Sequence, residues 1–244
     1  MSYLNQNINK ISEYPFTRLR NLLSKDIKSK ETKILDLSIG QPHHKFPSFV
    51  KKILSEENSK WSFYPPVKGL PVLRNAYLNW LQRRFNLQSS FFNDDNILPL
   101  CGTREGLFSI SLALSVHQII VPNPFYQVYL GASLFNNLPL VFMNTGQEEN
   151  FLLDLEKLQK KIKNKNSLIY FCNPSNPQGK CASANYLKKL INLVRKSNSI
   201  LVLDECYIDI YTGKKPVGGI QVCQDIGKSL KNILIFHSLS KRSN

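Results

Sequence analysis

Asn232-Ile233-Leu234-Ile235-Phe236-His237-Ser238-Leu239-Ser240-Lys241 is a short apolar run that ends in a turn of small residues and presents one lysine. Four apolar residues in a row, bounded by turn residues, suit a strand buried on both faces. A lysine at the end of such a strand can be held by packing and pointed into a cleft. Desolvation there lowers its pKa and lets it act as nucleophile and base. The same residue also reads as one more solvated charge near a chain end. The segments upstream decide between the two.

Working back from that run, residues 200–203, 168–172, 140–143, 118–121 and 97–100 are similar short apolar stretches and read as strands. The intervals carry helical periodicity: residues 105–115, then 126–136 with Val128, Leu130 and Leu134. Asp154 is placed to cap a helix with the stripe Leu155, Leu158 and Ile162, and Ser183 one with Leu187, Leu190, Ile191 and Val194. Nearer the N-terminus, Phe16, Leu19, Leu22, Leu23 and Ile27 predict an amphipathic helix, and residues 33–38 a strand ending before Gly40. Phe49, Val50, Ile53 and Leu54 mark a short helix, and Leu70, Leu73, Tyr77, Trp80, Leu81 and Phe85 a long one. Apolar strands alternating with amphipathic helices imply an α/β fold, a mainly parallel sheet covered by helices on both faces. In such sheets ligands bind beyond the carboxyl ends of the strands.

The chain has 244 residues, 42% hydrophobic and 20% charged, as in a soluble globular protein large enough for a real core. Its 32 Lys and Arg against 17 Asp and Glu give +15. The basic residues are scattered or lie on helical faces, without interleaved aromatics, so no nucleic acid partner is expected. Five cysteines, odd in number and with no C-x-x-C pair, argue against a disulfide framework and against zinc. The four histidines offer no metal spacing, so no metal is expected. The first ten residues are polar, without the apolar core of a signal peptide, and the uncharged span between Glu105 and Glu148 is broken by prolines. A cytoplasmic chain with no membrane partner is the expectation.

The residues just after the strands carry the chemistry. Gly102-Thr103-Arg104-Glu105-Gly106 is a glycine turn opening a helix, which can cradle phosphate or simply punctuate the chain. Pro122-Asn123-Pro124-Phe125-Tyr126 brings aromatics beside it, able to cover a flat ring or to pack in the core. Asn173-Pro174-Ser175-Asn176-Pro177-Gln178-Gly179 can present amides to a cleft, or serve as a plain loop. Asp204, directly after residues 200–203, is expected to be buried and so to need a cationic partner or several donors, and Tyr207 follows three residues on. Phosphate cradle, stacking ring, amide, buried carboxylate, phenol and lysine together meet the needs of pyridoxal 5′-phosphate.

With these residues in place the chain resembles the class I/II aminotransferases of the aspartate aminotransferase fold, and within them the bacterial N-succinyldiaminopimelate group. The resemblance lies in Ile39-Gly40-Gln41-Pro42-His43, Tyr64-Pro65-Pro66-Val67-Lys68-Gly69-Leu70, Gly102-Thr103-Arg104-Glu105, Asn123-Pro124-Phe125-Tyr126-Gln127-Val128-Tyr129, Asn173-Pro174-Ser175-Asn176-Pro177, Asp204-Glu205-Cys206-Tyr207 and Ser238-Leu239-Ser240-Lys241-Arg242-Ser243-Asn244. It implies that Lys241 binds the cofactor covalently and moves the substrate proton, and that Asp204 pairs with the ring nitrogen. Tyr207 and Asn176 would bond the ring's phenolic oxygen, and Tyr126, or less favourably Phe125, would stack on the ring. Gly102, Thr103, Arg104 and Ser238 would hold the phosphate, and Gly40 the substrate carboxylate. Tyr64 would reach the phosphate of a neighbouring subunit, which implies a homodimer.

The implied reaction is ping-pong transfer between glutamate and a keto acid, N-succinyl-2-amino-6-ketopimelate, giving N-succinyl-LL-diaminopimelate for lysine biosynthesis. The resemblance further implies that residues 1–45 form an arm and helix of a small domain and residues 46–244 an incomplete large cofactor-binding domain. On that expectation the chain is C-terminally truncated, lacking most of the small domain and its substrate-binding arginine. The alternative is a truncated, catalytically inactive fragment.

Overall fold

Burying both faces of a strand leaves its backbone groups only neighbouring strands to bond with, and the apolar runs assemble accordingly. The computed structural model describes residues 3–11, 13–26, 35 and 37–243, in two compact units, residues 1–41 and 42–244. The first unit contains helix α1 (Pro15–Asp26). The stripe expected there is largely solvent-facing, with Leu19, Leu22 and Leu23 exposed, and Ile27 lies outside the described residues. Of the strand expected over residues 33–38, Lys33, Ile34 and Asp36 lie outside the described residues. Leu35, Leu37 and Ser38 are described and are not in a strand.

The second unit begins with α2 (Ser48–Glu56) and α3 (Pro71–Phe85), the latter opened by a proline at its first turn and closed by Asn86 in the left-handed region at φ 52°. Then α4 (Thr103–Ser109), β1 (Gln118–Asn123), α5 (Val128–Phe135), β2 (Leu140–Asn144), α6 (Leu155–Ile162) and β3 (Ser167–Cys172) alternate. They are followed by α7 (Ala184–Lys196), β4 (Ile200–Asp204), α8 (Gly219–Asp225) and β5 (Ile233–Phe236). Both expected caps are present: Asp154 accepts from the amides of Glu156 and Lys157, and Ser183 from that of Tyr186.

The five strands form one parallel sheet in the order β2-β1-β3-β4-β5. Alternate side chains enter opposite cores. Ile120, Ile169, Phe171, Leu201 and Leu203 pack with α6, α7 and α8 on one face. Ile119, Val121, Leu168, Tyr170 and Val202 pack with α4 and α5 on the other. Each such side chain, fully buried, contributes about 1.5–3 kcal/mol. The order reverses between β1 and β3, so the crevice at their carboxyl ends is the place where such a sheet binds ligands.

Two expectations need correction. Residues 97–100 are not a strand. Among the described residues the sheet ends at β5, and residues 97–101 line a mainly apolar groove of about 980 Å³ together with β5 and α3, with no described strand bonded to them. The helix expected over residues 105–115 is also shorter. α4 stops at Ser109 and tightens into a 3-10 turn, Ile110–Ala113. α8 had no strong signal, because Gly218-Gly219 at its start reads as a turn.

Among the described residues no helix is long and apolar enough to cross a membrane, and no cluster of His, Cys, Asp and Glu could hold a metal. Several large apolar side chains of the second unit are exposed, Phe49, Trp61, Phe63, Val67 and Leu98 among them.

Candidate active site

β4 delivers Asp204 at its last position, where the side chain is still within the sheet and only 5% exposed. A carboxylate there must be met by donors. Tyr129 Oη donates to its Oδ2 at 2.9 Å, and the Cys206 amide donates to Oδ1 at 3.3 Å. Both donors are neutral, so neither cancels the charge. Tyr129 is itself 1% exposed and stacked on Tyr170, ring centroids 4.3 Å apart. Burial pushes its phenol well above the ordinary range, and the neighbouring Asp204 pushes the same way. Tyr129 therefore keeps its proton for Asp204. Tyr129 closes one of the motif runs read from the sequence but had no role there; on α5 it reads as one more core aromatic, and only the fold brings it beneath the end of β4.

The aromatic pair after β1 divides. Phe125 packs against Phe142, centroids 5.3 Å apart. Tyr126 stands edge-on to Tyr129 at 5.8 Å, and its hydroxyl accepts from Arg104 Nε at 3.1 Å. Tyr126 is thus the aromatic that joins the Asp204 neighbourhood to the turn before α4. In that turn Gly102 has φ 157° and ψ 150°, a conformation that side-chain-bearing residues rarely adopt. No atom lies within 4 Å of where a Cβ would stand, which leaves open space beside the turn. Thr103 Oγ1 lies 3.4 Å from Cys206 Sγ, tying the turn to the segment after β4. Burial pushes the Cys206 thiol upward, so it stays protonated.

Asn176 Nδ2 donates to Tyr207 Oη at 3.4 Å, bringing together the amide and the phenol read from the sequence. The Tyr207 phenol is pushed up to about 12, first by burial and then by Cys172 and Asp204. Lys241 Nζ lies 5.8 Å from the centre of the Tyr207 ring. Ser238 Oγ donates to Ser240 Oγ at 2.8 Å and accepts from the Ser240 amide at 3.1 Å, which folds the turn before the lysine onto itself. Asp204, Tyr207, Asn176, Tyr126, Thr103, Arg104 and Lys241 are thus linked through direct contacts or shared neighbours. Tyr64 is outside that set, its ring fully exposed. Gly40 belongs to the first unit.

The groove beside β5 meets the site at its rim, through Gly102, Thr103, Cys206 and Ser238, and is lined mainly by apolar residues. Glu205, His237 and Arg242, near Asp204 and Lys241 in sequence, also face it and were given no role in the sequence.

The residues present fit pyridoxal phosphate. Asp204 is a buried carboxylate whose charge is held without being cancelled, as a pyridinium nitrogen requires. Open space lies beside a glycine turn that carries a hydroxyl and a guanidinium, and an amide–phenol pair stands next to the lysine.

Comparison with known proteins agrees. The family model for aminotransferase class I and II matches residues 32–244. An LL-diaminopimelate aminotransferase of Dehalococcoides mccartyi strain CBDB1 is 32% identical over 99% of this chain and 62% of its own length. A probable aspartate aminotransferase of Methanocaldococcus jannaschii is 32% identical over 77% of this chain and 49% of its own. Among solved structures, an aminotransferase of Neisseria meningitidis superposes with TM-score 0.89 at 34% identity, covering 99% of this chain and 62% of that one. The aminotransferase AspB of Helicobacter pylori superposes with TM-score 0.86 at 32% identity, covering 96% and 62%. The chain therefore spans about 62% of the length of the first of these relatives.

Proposed function

The chain belongs to the class I and II aminotransferases, a family whose cofactor is pyridoxal 5′-phosphate, and from that premise we propose that its second unit supplies the cofactor and proton-handling half of an amino-group transfer. The observation that carries this reading is the buried Asp204, held by two neutral donors in the neighbourhood of Lys241. When bound, the cofactor supplies an electron sink for the pair left on the substrate α-carbon.

The chain's own residues do the rest. Lys241 Nζ would hold the cofactor, and its amine, when free, would serve as the base for the proton on the substrate α-carbon. Asp204 keeps a proton on the ring nitrogen, because a carboxylate beside it favours the charged form. Tyr207 and Asn176 bond the ring's phenolic oxygen. Gly102, Thr103, Arg104 and Ser238 receive the phosphate, and Tyr126 covers the ring. Gly40 would meet the substrate carboxylate, and Tyr64 would serve a second subunit in a homodimer. On this reading residues 1–45 belong to a small domain and residues 46–244 to a large cofactor domain.

We take glutamate as amino donor and a diaminopimelate-type keto acid as acceptor, in lysine biosynthesis. The motif resemblance favours the N-succinylated form, whereas several relatives carry the name LL-diaminopimelate aminotransferase. The two substrates differ only in whether the distal amine is free or acylated. The test is a half-reaction. The chain loaded with pyridoxal phosphate is mixed with glutamate, LL-diaminopimelate or N-succinyl-LL-diaminopimelate, and the keto acid formed is measured. Keto acid from glutamate and from one diaminopimelate form supports the reading; none from any amino acid refutes it.

A further inference from the structure

Asp204 and Glu205 are adjacent and do different work. Asp204 faces Tyr129, whereas Glu205, fully buried, accepts from the Gly219 amide at 2.6 Å and bonds His237 Nε2 at 2.8 Å. Its backbone amide also donates to Phe236 at 2.9 Å, so Glu205 holds two consecutive residues of the chain that leads to Lys241. The other ring nitrogen of His237 bonds the Tyr77 hydroxyl. The ring is stacked on Phe85 and meets Trp80 edge-on, with centroids 5.9 and 5.4 Å away. Gly219 is needed for this approach, since a Cβ there would stand 2.1 Å from Leu203 Cδ1 and 3.3 Å from Glu205 Oε1.

The chain is held again just past the lysine. Arg242 donates to Asp209 Oδ2 at 2.7 Å and lies over the Trp80 ring at 4.1 Å. The other Asp209 oxygen accepts from Arg84 Nε at 2.8 Å, and Arg84 is tied to the carbonyls of Ile208 and Pro216. Burial alone would raise the Asp209 carboxyl, but the hydrogen bonds from Arg242 and Arg84 outweigh it and keep the group below its ordinary value. Tyr77, Trp80 and Arg84 lie on one face of α3, at spacings of three and four residues. Trp80 touches both anchors, His237 and Arg242. The bridge between them is short and folded by the Ser238–Ser240 bonds.

We propose that Glu205–His237–Tyr77 and Arg84–Asp209–Arg242, joined through Trp80, form a two-sided clamp of positioning residues that fixes the direction of the Lys241 amine. This rests on the assignment of Lys241 as the cofactor lysine. None of the six is among the residues assigned to the cofactor. Fixing both ends of the turn removes freedom that Lys241 would otherwise lose on bonding the cofactor, which is the gain from preorganisation.

The test compares the wild type with Arg242→Ala, Asp209→Asn, their double variant and His237→Gln. Each is loaded with pyridoxal phosphate and reduced with borohydride. Label trapped on Lys241 is measured beside total cofactor retained before reduction, and thermal unfolding checks the fold. Arg242 lies in a turn outside the sheet with its side chain 22% exposed, so Arg242→Ala keeps the readout open if His237→Gln fails to fold. The clamp predicts that trapping at Lys241 falls about tenfold in the single variants, as expected for a displaced reacting group, while total retention changes less than about twofold. It also predicts that the double variant is no worse than either single. If wild type and Arg242→Ala trap equally, the clamp is wrong and the cofactor reading stands. If trapping and retention fall in parallel, the contribution is structural only and the clamp is again wrong. A wild type that traps nothing at Lys241 refutes the cofactor reading and removes the clamp's role with it.

Discussion

Replacing Tyr129 with phenylalanine removes one oxygen and leaves the ring in place, against Tyr170. What is lost is the 2.9 Å hydrogen bond to Asp204 Oδ2, leaving the Cys206 amide, at 3.3 Å, on the other oxygen. Both residues are buried, so water does not readily replace the donor. A hydrogen bond to a carboxylate in that setting is worth about 2 kcal/mol. At this chain length, 2 kcal/mol lowers the unfolding midpoint by about 4–8 °C. Tyr170→Phe is the matched control: its hydroxyl donates to the neutral Leu107 carbonyl at 2.6 Å. That loss is worth about 1 kcal/mol, or about 2–4 °C. Scanning calorimetry of the two variants without cofactor decides the matter. A Tyr129→Phe midpoint within a degree of the wild type, or a larger loss for Tyr170→Phe, would refute the claim that Tyr129 satisfies a buried charge at Asp204.

Other consequences concern acid and thiol chemistry. Asp209 is held below its ordinary value of 3.8, so its stabilisation is complete above that pH and is lost as pH falls through the lower folded value. The difference in unfolding free energy between wild type and Asp209→Asn should be flat above about pH 5 and shrink below about pH 4; a difference that grows in acid would contradict the sign. Exposed Cys101 and Cys181 should alkylate readily in the folded chain. Buried Cys172, raised well above the thiol range, and Cys223, pushed up to about 11, should react only after unfolding, as mass spectrometry of partly alkylated protein would show.

The strands β1 to β5 were legible because a doubly covered parallel strand must be apolar throughout, and the candidate site residues drew notice because a strand's end is where its polar groups must fall. Residues 97–100 show the limit of that logic. Their composition is that of a strand, but pairing is a property of neighbours, and the adjacent edge of β5 faces a groove. The roles of Tyr129, Glu205 and His237 were illegible for a related reason. Each is an unremarkable residue in its own segment and acquires a role only when α5, β4 and β5 come side by side. Tyr77 and Trp80 were read as core, and they are packed; their second task, gripping His237 and Arg242, depends on contacts 160 residues apart in sequence.

The central claim is that Lys241 is the residue that takes the cofactor. The direct measurement is peptide mapping of the chain after incubation with pyridoxal phosphate and borohydride reduction. One pyridoxyl group per chain, on Lys241 and lost in Lys241→Ala, is the predicted result. Label spread over the surface lysines, or undiminished in Lys241→Ala, would contradict it.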